Sequence, residues 1–437
     1  MGDRLEEGGD AGTFSDFILS LVSKSSFLEG SIFAMAVMVL WWMFYTKIPA
    51  VEFRTFYTAA NTLLSGKSPY PTPGTGVVRG GHAFVYPITT LAYFIPFTTL
   101  PYNVALDLFR VAEIGLILVS VKLLLKNEAN FAVGVLILVS SFAITALQVL
   151  SVEPILLFFI ALSWRYRNSV FIGSISLALA IGVKLFLLPL LLWYLLSKRY
   201  RAFSISVFAV IILIAPTGFF VSSLTAYYHI LRRLSGYESA SGLSLVSLLD
   251  ILVHSETVAF WLTASLALVF TLSLVYVKKK IDPPDRYLFA AIVLWSLIES
   301  PIVWSHYFLI SVAVVLILSQ SPLGTMSLYA IGSWVLAQPD QITPSFIPWG
   351  VAMVMALAAL LMYLDRGRFR ESLELARTLR RVAKRPGVSS VFFVVAIVGL
   401  AIGVFDSFAI PSFAFVSIMI SALIAIGFYV KRYEAAR

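Results

Sequence analysis

Apolar stretches about 20 residues long recur along the whole of this chain, and a lipid bilayer is the solvent that such stretches suit. The clearest run from Ile32 to Tyr45, Val258 to Val277, Val351 to Leu364 and Ser412 to Val430. Of the 437 residues, 59% are hydrophobic and only 13% charged, whereas a soluble domain is about half apolar and about a quarter charged. That is too little polar side chain to coat an aqueous surface, so the sequence predicts an all-α polytopic membrane protein. The net charge of +9 reads as loops facing anionic headgroups rather than as a nucleic-acid surface. With no cysteine, disulfides and thiolate metal sites are excluded. The first residues carry Asp3, Glu6, Glu7, Asp10 and Asp16, unlike the basic start of a cleaved signal peptide.

Basic residues orient such a bundle, because they favour the cytoplasmic side. They cluster at Lys122/Lys126, Arg165/Arg167, Lys198/Arg199/Arg201, Lys278 to Lys280, Arg366 to Arg385 and Lys431/Arg432. Placing these clusters and the N-terminus inside requires an even number of spans, and roughly 14 fit. They lie near 29–47, 103–125, 130–147, 151–164, 169–182, 185–197 and 202–222. The remainder lie near 257–277, 286–299, 304–319, 323–338, 347–364, 389–405 and 411–430. Several are shorter than about 20 residues, so neighbouring pairs also read as broken or re-entrant helices. Segment 84–100 is apolar enough to cross, but counting it would put Lys122 and Lys126 outside. It is therefore expected to be a helix lying on, or dipping into, the outer face.

The resulting organisation is a polar cytoplasmic N-terminus over 1–28 and a transmembrane bundle over 29–364, with a first external loop at 48–102. A basic amphipathic cytoplasmic segment follows over 365–387, then a helix pair over 388–437, so both termini face the cytoplasm. The polar groups able to do chemistry collect outside: Glu52, Arg54, Lys67, Arg79 and His82 in the first loop, then Glu153, Lys184, Glu299 and His306. A further loop carries His229, Arg232, Arg233 and His254. An acid and several cations at helix ends suit an anionic substrate attacked at the membrane surface. Each also has a plainer reading: Glu52 as a solvated carboxylate, Lys184 as a snorkelling lysine, His306 as an interfacial-belt residue. Asp107, Arg110 and Glu113 have helical spacing within one span and read as an internal ion-pair ladder. The four histidines are scattered, and no Walker or dinucleotide glycine loop is present, so neither a metal site nor a nucleotide site is expected.

Four stretches, in this order, resemble glycosyltransferase family 87. They are Glu52-Phe-Arg-Thr-Phe-Tyr57, continuing to Ser68-Pro69-Tyr70; Phe84-Val-Tyr-Pro87, leading to Leu100-Pro101; Gln148 with Val183-Lys184 and Pro189; and Ser300-Pro-Ile-Val-Trp-Ser-His-Tyr307. The resemblance covers about residues 30–320 and implies a GT-C-type bundle with surface helices in the first external loop. It implies a mannosyltransferase that uses a polyprenyl-phosphate sugar such as dolichol phosphate mannose, in glycan biosynthesis. The family's acceptor base is an aspartate, and the longer Glu52 stands at its position. His306 falls on the family's phosphate-proximal histidine and Lys184 on its lysine, with Arg54 and Arg79 as further donor-phosphate candidates. Tyr57, Tyr70, His82, Tyr86, Gln148 and Trp304, in or beside these motifs, are the candidate substrate contacts. The expected partners are membrane lipids, the sugar donor and a glycolipid or glycan acceptor, with no metal or other cofactor. Arabinofuranosyl or other hexosyl transfer, or movement of a lipid-linked saccharide across the membrane, remain as alternatives.

Overall fold

The computed structural model describes residues 50–71, 83–125, 131–238, 243–278, 285–319 and 322–336. The expected segments 1–28, 29–47, 347–364, 365–387 and 388–437 lie outside the described residues. Helix α1 (Val51–Leu64) buries Phe53, Phe56, Ala59 and Ala60, one helical stripe, and ends where Gly66 takes φ +77° and its N–H reaches the Leu63 carbonyl at 2.9 Å. A positive φ there suits glycine, which has no Cβ to clash.

The single helix expected over 84–100 is instead a pair of 3-10 turns, Ile88–Tyr93 and Ile95–Thr99. Pro87, Pro96 and Pro101 punctuate it, each lacking a backbone donor and fixing φ against a continuous α-helix. Helix α2 (Tyr102–Leu125) follows, then α3 (Phe131–Leu138) and α4 (Ser141–Val149). The span expected at 130–147 is thus broken, with α3 and α4 bent by 62° where Ser140 caps α4 by accepting from the Ala143 N–H. Helix α5 (Glu153–Arg165) and α6 (Ile172–Val183) come next. Beyond α6 the expected span 185–197 opens as a 3-10 turn, Leu185–Leu190, before α7 (Leu191–Leu196). The remaining elements are α8 (Tyr200–Phe220), α9 (Leu224–Glu238), α10 (Leu245–Val253), α11 (Glu256–Lys278) and α12 (Asp285–Glu299). A last 3-10 turn, Ser305–Ile310, feeds α13 (Ser311–Leu318), and α14 (Pro322–Leu336) completes the described helices.

Among the described residues, two helices are long and apolar enough to cross a membrane alone, Tyr200–Phe220 and Thr257–Val275. The bent α3–α4 pair makes a third if it is one span. The expected spans at 29–47, 347–364, 389–405 and 411–430 lie outside the described residues, so the expected count is not confirmed; within the described residues, turns interrupt several of the apolar stretches. Both long helices leave large apolar side chains uncovered, among them Phe208, Ile211 and Phe219 on α8 and Trp261, Leu268 and Val269 on α11. Such continuous apolar surface is tolerated in lipid and not in water. The described chain is an all-helical membrane protein.

Packing brings three interruptions together. Helix α2 packs along α5, α5 along α6 and α6 along α8, while the 305–310 turn sits against α4 and α5. The first loop is sewn onto this row by polar ties. Thr89 donates to the Leu213 carbonyl at 2.9 Å, and Thr217 Oγ1 accepts from the Ile88 N–H at 3.0 Å. Tyr227 of α9 donates to the Val85 carbonyl at 2.9 Å. Apolar burial fixes the other side: the fully buried Phe53 ring meets Tyr57, Phe94, Phe97, Tyr102 and Phe109, with the Phe109 centroid at 5.0 Å. Phe53→Ala is expected to destabilise the fold by roughly 3–5 kcal/mol, the usual cost of emptying such an aromatic site. A thermal melt of the detergent-solubilised variant checks this, as a lowered midpoint relative to wild type.

Candidate active site

Every side chain at the centre of the site stands where a helix starts or stops. Glu52 occupies the first turn of α1, where the helix dipole favours a carboxylate. Glu153 opens α5, followed at once by Pro154, whose missing N–H costs nothing in a first turn. Lys184 is the extended residue that ends α6, at φ −138° and ψ 118°. His306 lies in the 305–310 turn, after an extended segment held by the Leu243 N–H on the Val303 carbonyl at 2.7 Å. Ser244 Oγ adds a bond to the Pro301 carbonyl at 3.3 Å.

These four side chains meet. His306 Nε2 lies 3.2 Å from Glu52 Oε1, off the line of a good hydrogen bond, and 3.9 Å from Glu153 Oε2. Lys184 Nζ forms an ion pair with Glu153 Oε1, both groups buried. The ammonium also stacks over the Tyr307 ring, 3.6 Å from its centroid, and lies 5.5 Å from that of Tyr86. Tyr86 donates to Glu52 Oε2 at 3.4 Å, and Tyr70 positions that segment by donating to the Tyr86 carbonyl at 2.7 Å. Of the four central side chains Glu52 alone keeps appreciable exposure, 22%.

Burial works against a charged Glu52, but His306 beside it, the Lys184 ammonium and the Tyr86 hydroxyl outweigh that and hold its carboxyl below the usual range. The Tyr86 phenol moves the opposite way, pushed up by burial first and then by the adjacent Glu52 charge. Glu52 is therefore ionised at neutral pH, and Tyr86 is a neutral donor to it.

The expected residues do not all gather at this centre. Glu52, Lys184, His306 and Tyr86 converge, in keeping with their motifs. Arg54 is exposed on α1, two residues past Glu52 and in electrostatic range of Tyr102. Tyr57 donates to the Leu100 carbonyl at 2.9 Å and belongs to the packing of the first loop. Gln148 is buried at the end of α4, and Trp304 is half-buried immediately before the His306 turn. Arg79 and His82 lie outside the described residues.

Sequence alone puts Glu153 outside but gives it no role; its position as the first residue after a helix break, ahead of a proline, is the signal that could have found it. Tyr307, beside the motif histidine, is likewise not singled out by sequence. The Asp107–Arg110–Glu113 ladder is only half formed: Arg110 pairs with Asp107 at 3.2 Å, while Glu113 is fully buried with no hydrogen-bond partner on either oxygen. Glu52, Glu153 and His306 each offer an atom within 4.8 Å of the others, the spacing of a cation site. Lys184 already supplies a positive charge to that set.

A family model matches residues 84–311, described as glycosyltransferase family 87. The chain belongs to glycosyltransferase family 87. It is thus a membrane glycosyltransferase, and the family that its motifs resembled is the one it belongs to. No curated protein and no solved structure gives a match. The family 87 region contains Tyr86, Glu153, Lys184 and His306 and begins after α1. Glu52 is joined to it by contact with His306 and Tyr86.

Removing the histidine tests the electrostatics of this family 87 site. Activity that needs ionised Glu52 is lost as pH falls through the Glu52 pKa, which His306 helps to depress. In His306→Gln burial counts for more, the pKa rises, and the acid limb of the kcat/KM profile is expected at higher pH than in wild type. An unmoved limb shows that Glu52 is not the titrating base.

Proposed function

We propose that this glycosyltransferase moves a mannosyl unit from a polyprenyl-phosphate donor to an acceptor hydroxyl at the external membrane face, with Glu52 as the base. The observation that carries this reading is an ionised carboxylate, the more exposed of the two in the cluster, facing Lys184 and His306. In the proposed step Glu52 takes the acceptor proton as its oxygen bonds to the anomeric carbon. The bond from that carbon to the phosphate oxygen breaks on the opposite face, and polyprenyl phosphate leaves with the electron pair. The charge that grows on the phosphate is met by Lys184 and His306. Fixed, partly buried cations act more strongly there than solvated ones, because water does not screen them.

Lys184 supplies the charge that a divalent ion would otherwise bring, so transfer is proposed to be metal-independent. The membrane supplies the donor's long apolar tail with a solvent, consistent with the exposed apolar surfaces of α8 and α11. The acceptor, a glycolipid or glycan hydroxyl, would approach from the aqueous side and reach Glu52 through its exposed edge.

Reconstituted vesicles given polyprenyl-phosphate mannose labelled in the sugar, an acceptor lipid extract and EDTA provide the test. Wild-type protein is expected to move label to the acceptor, and Glu52→Gln to lose at least about a hundredfold in rate, the usual scale of a lost general base. Undiminished transfer by Glu52→Gln contradicts the assignment of the base. Transfer abolished by EDTA and restored by a divalent ion makes Glu52, Glu153 and His306 metal ligands instead. Label that crosses the bilayer on its original lipid favours transport over transfer.

A further inference from the structure

Glu113 is a polar group that neither the fold nor the proposed chemistry uses. It lies on α2, fully buried, and neither carboxyl oxygen has a hydrogen-bond partner among the described residues. Arg110, one turn earlier, is directed to Asp107 instead. Burying a carboxyl group without a hydrogen-bond partner is costly, so native structures rarely leave one so. Its location is informative: α2 packs along α5, and Glu113 is within electrostatic range of both Glu153 and Glu52. A second orphan stands at the same end of α5. Among the described residues, Ser151 Oγ, two residues before Glu153, is buried without a hydrogen-bond partner, and so is Glu153 Oε2, which lies 3.9 Å from His306 Nε2. Unused acceptors and a hydroxyl therefore collect beside the site that handles the anomeric carbon.

We propose that Glu113 recognises the sugar of the donor by hydrogen bonds to its hydroxyls, with Ser151 contributing a further contact. This inference rests on the glycosyl-transfer reading above. Two neighbouring hydroxyls match the two oxygens of one carboxyl group, and each hydroxyl can both donate and accept, so a sugar brings the partners that the orphan oxygens lack. A site built to bond a substrate hydroxyl discriminates strongly against a ligand without it, because its own buried group is then left unpaired. Glu113 is thereby a specificity-determining residue, distinct from the Glu52 base and from the cations beside the phosphate.

Binding of two lipids to the full chain in nanodiscs tests this: polyprenyl phosphate, and polyprenyl-phosphate mannose. In wild type the sugar-bearing lipid binds more tightly. In Glu113→Leu its affinity is expected to fall about tenfold, the scale of losing the partner of a buried polar group, while polyprenyl phosphate binds as before. Glu113→Gln, which keeps one acceptor oxygen and the side-chain shape, is expected to fall between the two. An equal change for both lipids, or no change for either, overturns the assignment and leaves glycosyl transfer intact. Failure of the wild type to bind either lipid overturns this inference together with the reading on which it rests.

Discussion

The buried Glu153–Lys184 ion pair is the interaction on which the site depends. It joins the start of α5 to the end of α6, two helices that pack along each other, and fixes where both chain breaks face. Charges removed from water are tolerated when paired in this way, and removal of one partner typically costs about 3–5 kcal/mol because the other is left uncompensated. The pair also sets the roles of its neighbours. One oxygen of Glu153 is committed to Lys184, and its other lies 3.9 Å from His306 Nε2. In the proposed reaction Glu52, with its greater exposure, is the carboxylate that meets the incoming hydroxyl.

The helices of the bundle place the chemistry by stopping. Lys184 is extended because α6 ends there, and the 3-10 turn with Pro189 carries the chain on in a new direction. Leu150, buried and at φ +51°, closes α4 just before Glu153. His306 is in a 3-10 turn, and Glu52 and Glu153 are in first turns of their helices. Uninterrupted spans would have covered these backbones with apolar side chains. Interruption is tolerated inside a membrane protein where the freed backbone is buried in protein or lines a polar cavity.

Much of this is legible in the sequence, and the exceptions are instructive. The membrane class follows from composition alone, and the family from four short motifs, three of which lie within the matched region. Glu52, Lys184 and His306 stand in those motifs and do converge. The span count is less legible, because hydropathy sees an apolar stretch and not the break within it: 130–147 reads as one segment but bends by 62°. Segment 84–100 carries Pro87 and Pro96 and is followed at once by Pro101, and these are a readable warning against a single helix. Glu153 and Glu113 are harder. Spacing alone suggests an ion-pair ladder for Glu113, whereas its isolation is a tertiary fact, set by Arg110 turning to Asp107.

Two carboxylates beside one reacting carbon allow two stereochemical courses. If either attacked the sugar directly, a covalent intermediate would form and a second displacement would restore the configuration. In the proposed mechanism, with Glu52 as the base and Glu153 bound to Lys184, one displacement would occur and the configuration would invert. The anomeric configuration of the product, read by NMR after transfer from a β-linked polyprenyl-phosphate sugar, decides between them. An α-linked product is the result predicted; a β-linked product contradicts the single displacement and makes one of these two glutamates a nucleophile.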